Sequence, residues 1–137
     1  MNNPIWLMTS AFPKLTLAEV IARVKAVGAQ GAELCVFRRD GTRRDHVATH
    51  LDYEAFSLED AKRVLDTCAK EGIRISVGAY DNLLAGDPAE CEANQNHILK
   101  LIRMAHLLGG DANDVCVGTF VGYNHELGKE DGGFAKN

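Results

Sequence analysis

The sequence lacks the features that would place it in several large classes of protein. No apolar run approaches the ~20 residues that a membrane-spanning helix needs. The opening stretch, MNNPIWLMTSAF, has no basic cluster and no long apolar segment, so we expect no secretory signal. Lysine and arginine number 15 against 19 aspartates and glutamates, which gives a formal net charge of -4. This charge disfavours general nucleic-acid binding, because contact with phosphates needs a basic face.

Metal-binding cysteine pairs and glycine-rich nucleotide motifs are missing as well. The four cysteines, Cys35, Cys68, Cys91 and Cys116, lie 33, 23 and 25 positions apart, so no C-x-x-C pair of a zinc ribbon or thioredoxin-type site occurs. We interpret all four as reduced thiols and expect a cytoplasmic protein. The chain also has no G-x-G-x-x-G, P-loop or G-x-S-x-G motif. Neither nucleotide binding nor serine hydrolase chemistry is therefore supported by a motif.

What the sequence does contain is three clear helix starts, each followed by apolar residues at helical spacing. Thr16 and Glu19 form a capping box, in which each side chain bonds to the other residue's backbone N–H. Ser57 and Asp60 repeat this pattern with a shorter acidic side chain. Asp87-Pro88 combines an aspartate cap with a proline at the first helical position. Each predicted helix ends at glycine, namely Gly28, Gly72 and Gly109.

Four short β-rich runs alternate with these helices, at residues 5–8, 34–37, 73–77 and 115–121. The order β-α-β-α-β-α-β favours a parallel sheet with right-handed crossovers. We therefore predict one α/β domain over residues 1–137, without a second domain. No fourth helix is completed after the last run, so the fourth strand has no predicted cover.

Polar residues follow the third run, at the strand end where parallel α/β folds bind ligands. The segment reads Tyr80-Asp81-Asn82-Leu83-Leu84. The phenol of Tyr80 and the amide of Asn82 could orient a polyol, with Leu84 in an apolar wall. Alternatively, Asp81 and Asn82 bond to their own backbone in a turn. Both interpretations remain open from the sequence.

Two further groups of polar residues fall at the same predicted end of the sheet. The loop at 38–44 carries four arginines. Of these, Arg43 and Arg44 could bind a phosphate or carboxylate, or could be solvated beside neighbouring aspartates. Thr119 lies near the end of the fourth run and His125 follows it, and His125 is the histidine that we most readily place near a site.

The remaining histidines show no strong metal-binding pattern. His46 and His50 form H-x-x-x-H but lack the Glu of H-E-x-x-H, and their segment has no helical apolar period. This disfavours a metal pair. His97 and His106 lie in the third predicted helix, where we expect surface or helix-flank positions.

Several short segments, spread over nearly the whole chain, match those of a known family in the same order. They are Gly31-Ala32-Glu33-Leu34, Gly72-Ile73-Arg74-Ile75-Ser76, Tyr80-Asp81-Asn82-Leu83-Leu84, Asp87-Pro88, the stretch from His97 to Gly109, and Gly118-Thr119-Phe120-Val121-Gly122. On these segments the chain resembles the sugar phosphate isomerase/epimerase family, whose members have xylose-isomerase-like TIM barrels. It departs from the family at Gly118, where relatives often have Asn, and at Tyr123-Asn124, where they often have Arg-Asp. These differences leave the exact substrate open.

The resemblance implies an eight-stranded TIM barrel, of which this chain would form the N-terminal half, about the first four strands and three helices. It also implies a divalent metal (Mn, Co, Mg or Zn) held by acidic residues and a histidine at the ends of strands five to eight, beside the catalytic carboxylates. No residue of this chain matches those positions, so we predict no catalytic and no metal-binding residue here. This half would supply only pocket walls, from Tyr80, Asn82, Leu84, Thr119, His125, Arg43 and Arg44.

The expected function is therefore that of a fragment of a metal-dependent sugar or sugar phosphate isomerase or epimerase. Such an enzyme transfers a proton next to a sugar carbonyl, and we expect the isolated chain to be inactive. One alternative is a stand-alone α/β module that binds a small ligand without catalysis. Another is an abasic-site endonuclease of the same barrel superfamily, although His50 and His125 fit its metal-ligand spacing poorly. We expect a small sugar ligand, neither nucleic acid nor membrane, and pairing of two chains through open sheet edges.

Overall fold

Strands and helices alternate along residues 3–39, 50–109, 114–119 and 121–122, which a computed structural model of the protein describes. They are β1 (Trp6–Met8), α1 (Leu17–Ala26), β2 (Gly31–Cys35), α2 (Leu58–Glu71), β3 (Arg74–Gly78), α3 (Pro88–Gly109) and β4 (Val117–Gly118), with one 3-10 turn at Thr9–Ala11. This order confirms the predicted α/β alternation. None of the described helices combines the length and the apolar character that crossing a bilayer would require.

The strands form a parallel sheet in the order β1-β2-β3-β4. In its register Glu33 of β2 lies beside Ser76 of β3, and Gly78 of β3 lies beside Gly118 of β4. Each strand therefore neighbours the next one along the chain, which is the arrangement that successive right-handed βα units produce. The parallel sheet is confirmed, and the carboxyl ends of all four strands lie at the same end of it.

β2 and β4 differ from their predicted ranges. β2 begins at Gly31, upstream of the predicted run at 34–37, because Gly31 already pairs with Trp6 of β1. A Cβ atom at Gly31 would lie 2.3 Å from the Trp6 ring, so glycine lets the ring lie directly against β2. β4 is shorter than predicted in the described residues, because its pairing with β3 is confined to Val117 and Gly118.

The predicted helix starts are confirmed in detail. Thr16 and Glu19 form the expected capping box at α1, and Ser57 and Asp60 form a second one at α2. These bonds favour the charged carboxylates: the backbone N–H of Thr16 lowers the pKa of Glu19, and the hydroxyl of Ser57 lowers the pKa of Asp60. At the end of α2, Gly72 has φ 66°, a left-handed conformation that glycine adopts without steric cost.

The main core lies between the helices and one face of the sheet. Alternate strand residues such as Ala32, Leu34 and Val77 point to this face and are fully buried against helical side chains. The described helices do not cover the opposite face to the same degree, since Trp6 and Met8 there remain 38% and 41% exposed. The second face is consequently where polar side chains of the strands can meet a ligand.

We expect the isolated chain to self-associate at micromolar concentration in analytical ultracentrifugation. Among the described residues, β1 pairs only with β2 and β4 pairs only with β3, which leaves unpaired backbone groups at both outer edges. Met8→Lys would add a charge to the incompletely covered face and should shift the distribution toward monomer. As a matched control, Leu58→Lys alters a 72% exposed residue at the start of α2 and should not. A compact wild-type monomer with a cooperative thermal transition would contradict this expectation.

Candidate functional site

A carboxylate and a phenol meet on the less covered face of the sheet. The Tyr80 hydroxyl donates a hydrogen bond of 2.5 Å to Oε1 of Glu33. Glu33 lies in the middle of β2, and Tyr80 lies two positions beyond Gly78, the last residue of β3. Because side chains alternate along an extended chain, Tyr80 and Gly78 share a face. The pair therefore sits toward the carboxyl ends of the strands.

Two glycines make the space that this pair occupies. A Cβ atom at Gly78 would lie 2.8 Å from Oε1 of Glu33. A Cβ atom at Gly118 would lie 2.7 Å from Oε2 of Glu33 and 2.9 Å from the Tyr80 hydroxyl. Real side chains do not approach so closely, so the Glu33 carboxylate can lie across β3 and β4 only because both positions lack a side chain.

The electrostatics keep the Tyr80 phenol protonated. Desolvation by burial, followed by the hydrogen bond to Glu33 and the charge of Glu33, raises the pKa of Tyr80 to about 12. The described residues place no positively charged group within ion-pair distance of Glu33. The phenol donates its one proton to Glu33, so the pair offers a ligand acceptor positions, on the Glu33 carboxylate and on the Tyr80 oxygen. Neighbouring acceptors of this kind suit a polyol, whose hydroxyl groups can donate to them.

Side chains of α3 form hydrogen bonds to the turn that follows Tyr80. Asn94 donates to the carbonyl of Asn82 at 2.8 Å, and it is itself buried. Gln95 and Cys91 both donate to the carbonyl of Leu83 at 3.1 Å. These three side chains lie on one face of α3, at spacings of three and four residues. They therefore donate hydrogen bonds to two consecutive backbone carbonyls after β3. The segment after β3 therefore has a structural role, in addition to being part of the candidate site.

The predicted site residues differ in their positions and contacts in the structure. Tyr80 contacts Glu33, whereas the Oδ1 atom of Asn82 accepts from the backbone N–H of Leu84 at 3.2 Å, as the turn interpretation requires. Leu84 is half-buried, and Thr119 is exposed and directly follows Gly118. Arg43, Arg44 and His125 lie outside the described residues.

The histidines also depart in part from expectation. His97 is buried rather than at the helix surface, and only 3% of it is exposed, because the segments after β2 and β3 fold over it. His106 is exposed, as expected. Nε2 of His50 lies 3.3 Å from the carbonyl oxygen of Thr9, so His50 contacts the backbone. His46 lies outside the described residues.

Glu33 is the residue that the site search in the sequence missed. It stands between Ala32 and Leu34 in an otherwise apolar strand, within one of the segments that carry the family resemblance. The usable signal is chemical: a carboxylate inside a strand that is buried on one face needs a partner on the other. Its partner Tyr80 was already a candidate.

The described residues do not form a metal site. No group of three or more His, Cys, Asp or Glu side chains in the described ranges is arranged to hold an ion. The two carboxylates nearest the turn are already bonded, Glu33 to Tyr80 and Asp81 to His97. These donors therefore do not fit the divalent metal that the family resemblance implies.

A cavity of about 350 Å³ lies at the other end of the sheet. Its walls include the start of β3, at Ile73 and Arg74, and Asp114 and Val115 just before β4. Parallel α/β folds bind ligands at the carboxyl ends of strands, and this cavity lies at the amino ends. We therefore place the candidate site at Glu33 and Tyr80.

Comparison with known proteins adds no assignment. No protein-family model matches the chain, and no curated protein matches it.

Glu33→Gln should lower the pKa of Tyr80 from about 12 toward the ordinary value of about 10, because it removes the negative charge that opposes phenolate formation. Burial should preserve part of the rise. Phenolate absorbance during an alkaline titration measures the change, and Tyr80→Phe identifies which tyrosine is responsible. Glu92→Gln, on the exposed surface of α3, is the control and should leave the titration unchanged. A Tyr80 titration that is the same in Glu33→Gln as in wild type would contradict the contact.

Proposed function

We propose that this chain forms one wall of the substrate pocket of a TIM-barrel sugar isomerase or epimerase. In this proposal the reaction is a proton transfer next to a sugar carbonyl, and the described residues bind and orient the sugar. The observation that carries the proposal is the hydrogen-bonded pair of Tyr80 and Glu33, set in the space left by Gly78 and Gly118. The pair offers two hydrogen-bond acceptors side by side, the Glu33 carboxylate and the Tyr80 oxygen, at the ligand-binding end of a parallel sheet.

The topology supports the barrel part of the proposal. Sequential strand order with each strand parallel to the next is the arrangement of successive βα units in a TIM barrel. The layers agree, because the apolar strand residues face the helices while Glu33 and Tyr80 face the other way. In a closed barrel that other face would line the interior, and its upper end would form the pocket.

The substrate preference follows from the chemistry of the pair. The Glu33 carboxylate can accept hydrogen bonds from neighbouring sugar hydroxyls, and the Tyr80 oxygen, whose proton is donated to Glu33, can accept a further one. Relatives of the proposed family often have Asn where this chain has Gly118. Any side chain at that position would enter the space of Glu33 and Tyr80, so this pocket should bind its sugar through a different set of groups.

The metal and the proton-transferring carboxylates of such an enzyme are not assigned to the described residues. Glu33 is hydrogen-bonded to Tyr80 and Asp81 to His97, and the described residues hold no group of three or more metal-ligating side chains. The proposed contribution of these residues is orientation of the substrate, which lowers the barrier by holding reacting atoms in place.

Calorimetric titration of the chain with Mn²⁺, Co²⁺ or Zn²⁺ should find no tight stoichiometric site, because the described carboxylates and imidazoles do not converge. We also expect no isomerase activity from the isolated chain. A tight one-to-one site would contradict this expectation and would return His46, His50 and His125 to consideration as ligands.

An NMR titration of the chain with a ketohexose, and separately with its phosphate, tests the proposed function. We expect amide shifts to concentrate at Gly78, Tyr80 and Gly118. Glu33→Gln and Tyr80→Phe should each weaken binding by up to about tenfold, as the loss of one hydrogen bond predicts. Glu92→Gln is the matched control for the charge change and should bind as wild type.

The two ligands separate the parts of the proposal. Tighter binding of the phosphate that is lost in Arg43→Ala with Arg44→Ala would assign the anion role to that loop. Shifts confined to residues remote from Tyr80, or equal binding by wild type and Glu33→Gln, would contradict the proposed pocket.

A further inference from the structure

His97 lies where the turn after β3 and the segment after β2 both meet α3. Its Nδ1 atom is 2.9 Å from Oδ2 of Asp81, the residue directly after Tyr80. Its ring packs edge to face on the ring of Tyr53, with centroids 4.6 Å apart and planes at 64°. Only 3% of His97 is exposed. One buried side chain thus contacts both segments that follow the central strands.

The bond to Asp81 is the only polar contact of this imidazole among the described residues. Its Nε2 atom is buried and has no hydrogen-bond partner in the described part of the chain. Because a carboxylate accepts, Nδ1 must carry the proton in this contact. A buried nitrogen without a partner costs free energy. Among the described residues, the polar role of the ring is therefore its hydrogen bond to Asp81.

The position of Asp81 determines where Tyr80 can place its phenol. Asp81 is anchored by His97, and the next carbonyl, that of Asn82, is anchored by Asn94. These bonds fix the backbone directly after Tyr80. The contact between Tyr80 and Glu33 is 2.5 Å long, and hydrogen bonds between two oxygens span only about 2.5–3.0 Å and need a near-linear angle, so the position of the phenol matters.

The second contact of His97 ties the segment after β2 to the same point. The Tyr53 hydroxyl accepts from the backbone N–H of Arg39 at 3.1 Å. Beside it, Lys100 of α3 forms an ion pair with Glu54 at 2.6 Å. The charged groups around His97 are therefore Asp81 in the turn, and Glu54, Lys100 and Arg39 around the Tyr53 ring. The segment after β2 and the segment after β3 therefore both pack against α3.

We propose that His97 is a positioning residue, which holds Asp81 so that Tyr80 stays in contact with Glu33. Its importance for substrate binding rests on the proposed function, but the positioning itself does not. The ring has two separate roles. Its edge-to-face packing on Tyr53 needs only an aromatic ring, whereas its hydrogen bond to Asp81 needs a donor at Nδ1.

Two substitutions of His97 distinguish these roles. His97→Phe keeps an aromatic ring against Tyr53 but removes the donor to Asp81. His97→Asn loses the ring but can place an amide N–H close to the position of Nδ1. The readout is the alkaline titration of the Tyr80 phenolate, with Tyr80→Phe subtracted and no sugar present. We expect the pKa of Tyr80 to fall from about 12 toward about 10 in His97→Phe. We expect His97→Asn to stay closer to wild type.

A further variant guards against loss of folding. His97→Phe leaves the Asp81 carboxylate without its partner, which could unfold the chain. His97→Phe combined with Asp81→Asn removes that charge and still lacks the imidazole donor, and we expect it to show the same lowered pKa of Tyr80. Far-UV circular dichroism at neutral pH establishes that each variant is folded.

The outcomes separate this inference from the proposed function. A Tyr80 titration unchanged in His97→Phe and in the double variant would overturn the positioning role. Equal shifts in His97→Phe and His97→Asn would overturn it too, since the donor would then be irrelevant. If His97→Phe lowers the pKa of Tyr80 while wild type binds no ketohexose, the positioning role stands and the sugar-binding proposal fails.

Discussion

A carboxylate in the middle of a parallel strand needs both space and a hydrogen-bond donor, and the neighbouring strands provide the two together. Gly78 and Gly118 leave the space across which Glu33 extends, and Tyr80 provides the donor at 2.5 Å. The remaining features at this end of the molecule depend on that contact. It requires β2, β3 and β4 to be in their observed register, and it requires the chain after β3 to turn at a fixed place.

The turn after β3 is where folding stability and the candidate function meet. Helix α3 bonds to this turn through buried Asn94 and His97, and a typical hydrogen bond of this kind contributes about 1 kcal/mol. Asn82 closes the turn through its own side chain. The unusual polarity of the segment therefore has two explanations. Asn82 shapes the backbone of the turn, and Tyr80 contacts Glu33.

The parts of this structure that depend on neighbours in sequence were predictable, and those that depend on neighbours in space were not. The capping boxes at Thr16 and Ser57 are local, and both formed as predicted. The role of Glu33 depends on glycines in two other strands, whose alignment with it only the sheet register reveals. The burial of His97, for which the sequence predicts a surface or helix-flank position, has the same cause, because the residues that bury it come from distant segments.

The central claim is that a polyol binds against Tyr80 and Glu33. Intermolecular nuclear Overhauser effects between the chain and a bound ketohexose test it most directly, because they identify protons in contact irrespective of any effect on activity. The account predicts cross-peaks between the ring protons of Tyr80 and the carbon-bound protons of the sugar. Cross-peaks to Leu65 and Ile75 instead, which line the cavity at the amino ends of the strands, would contradict it.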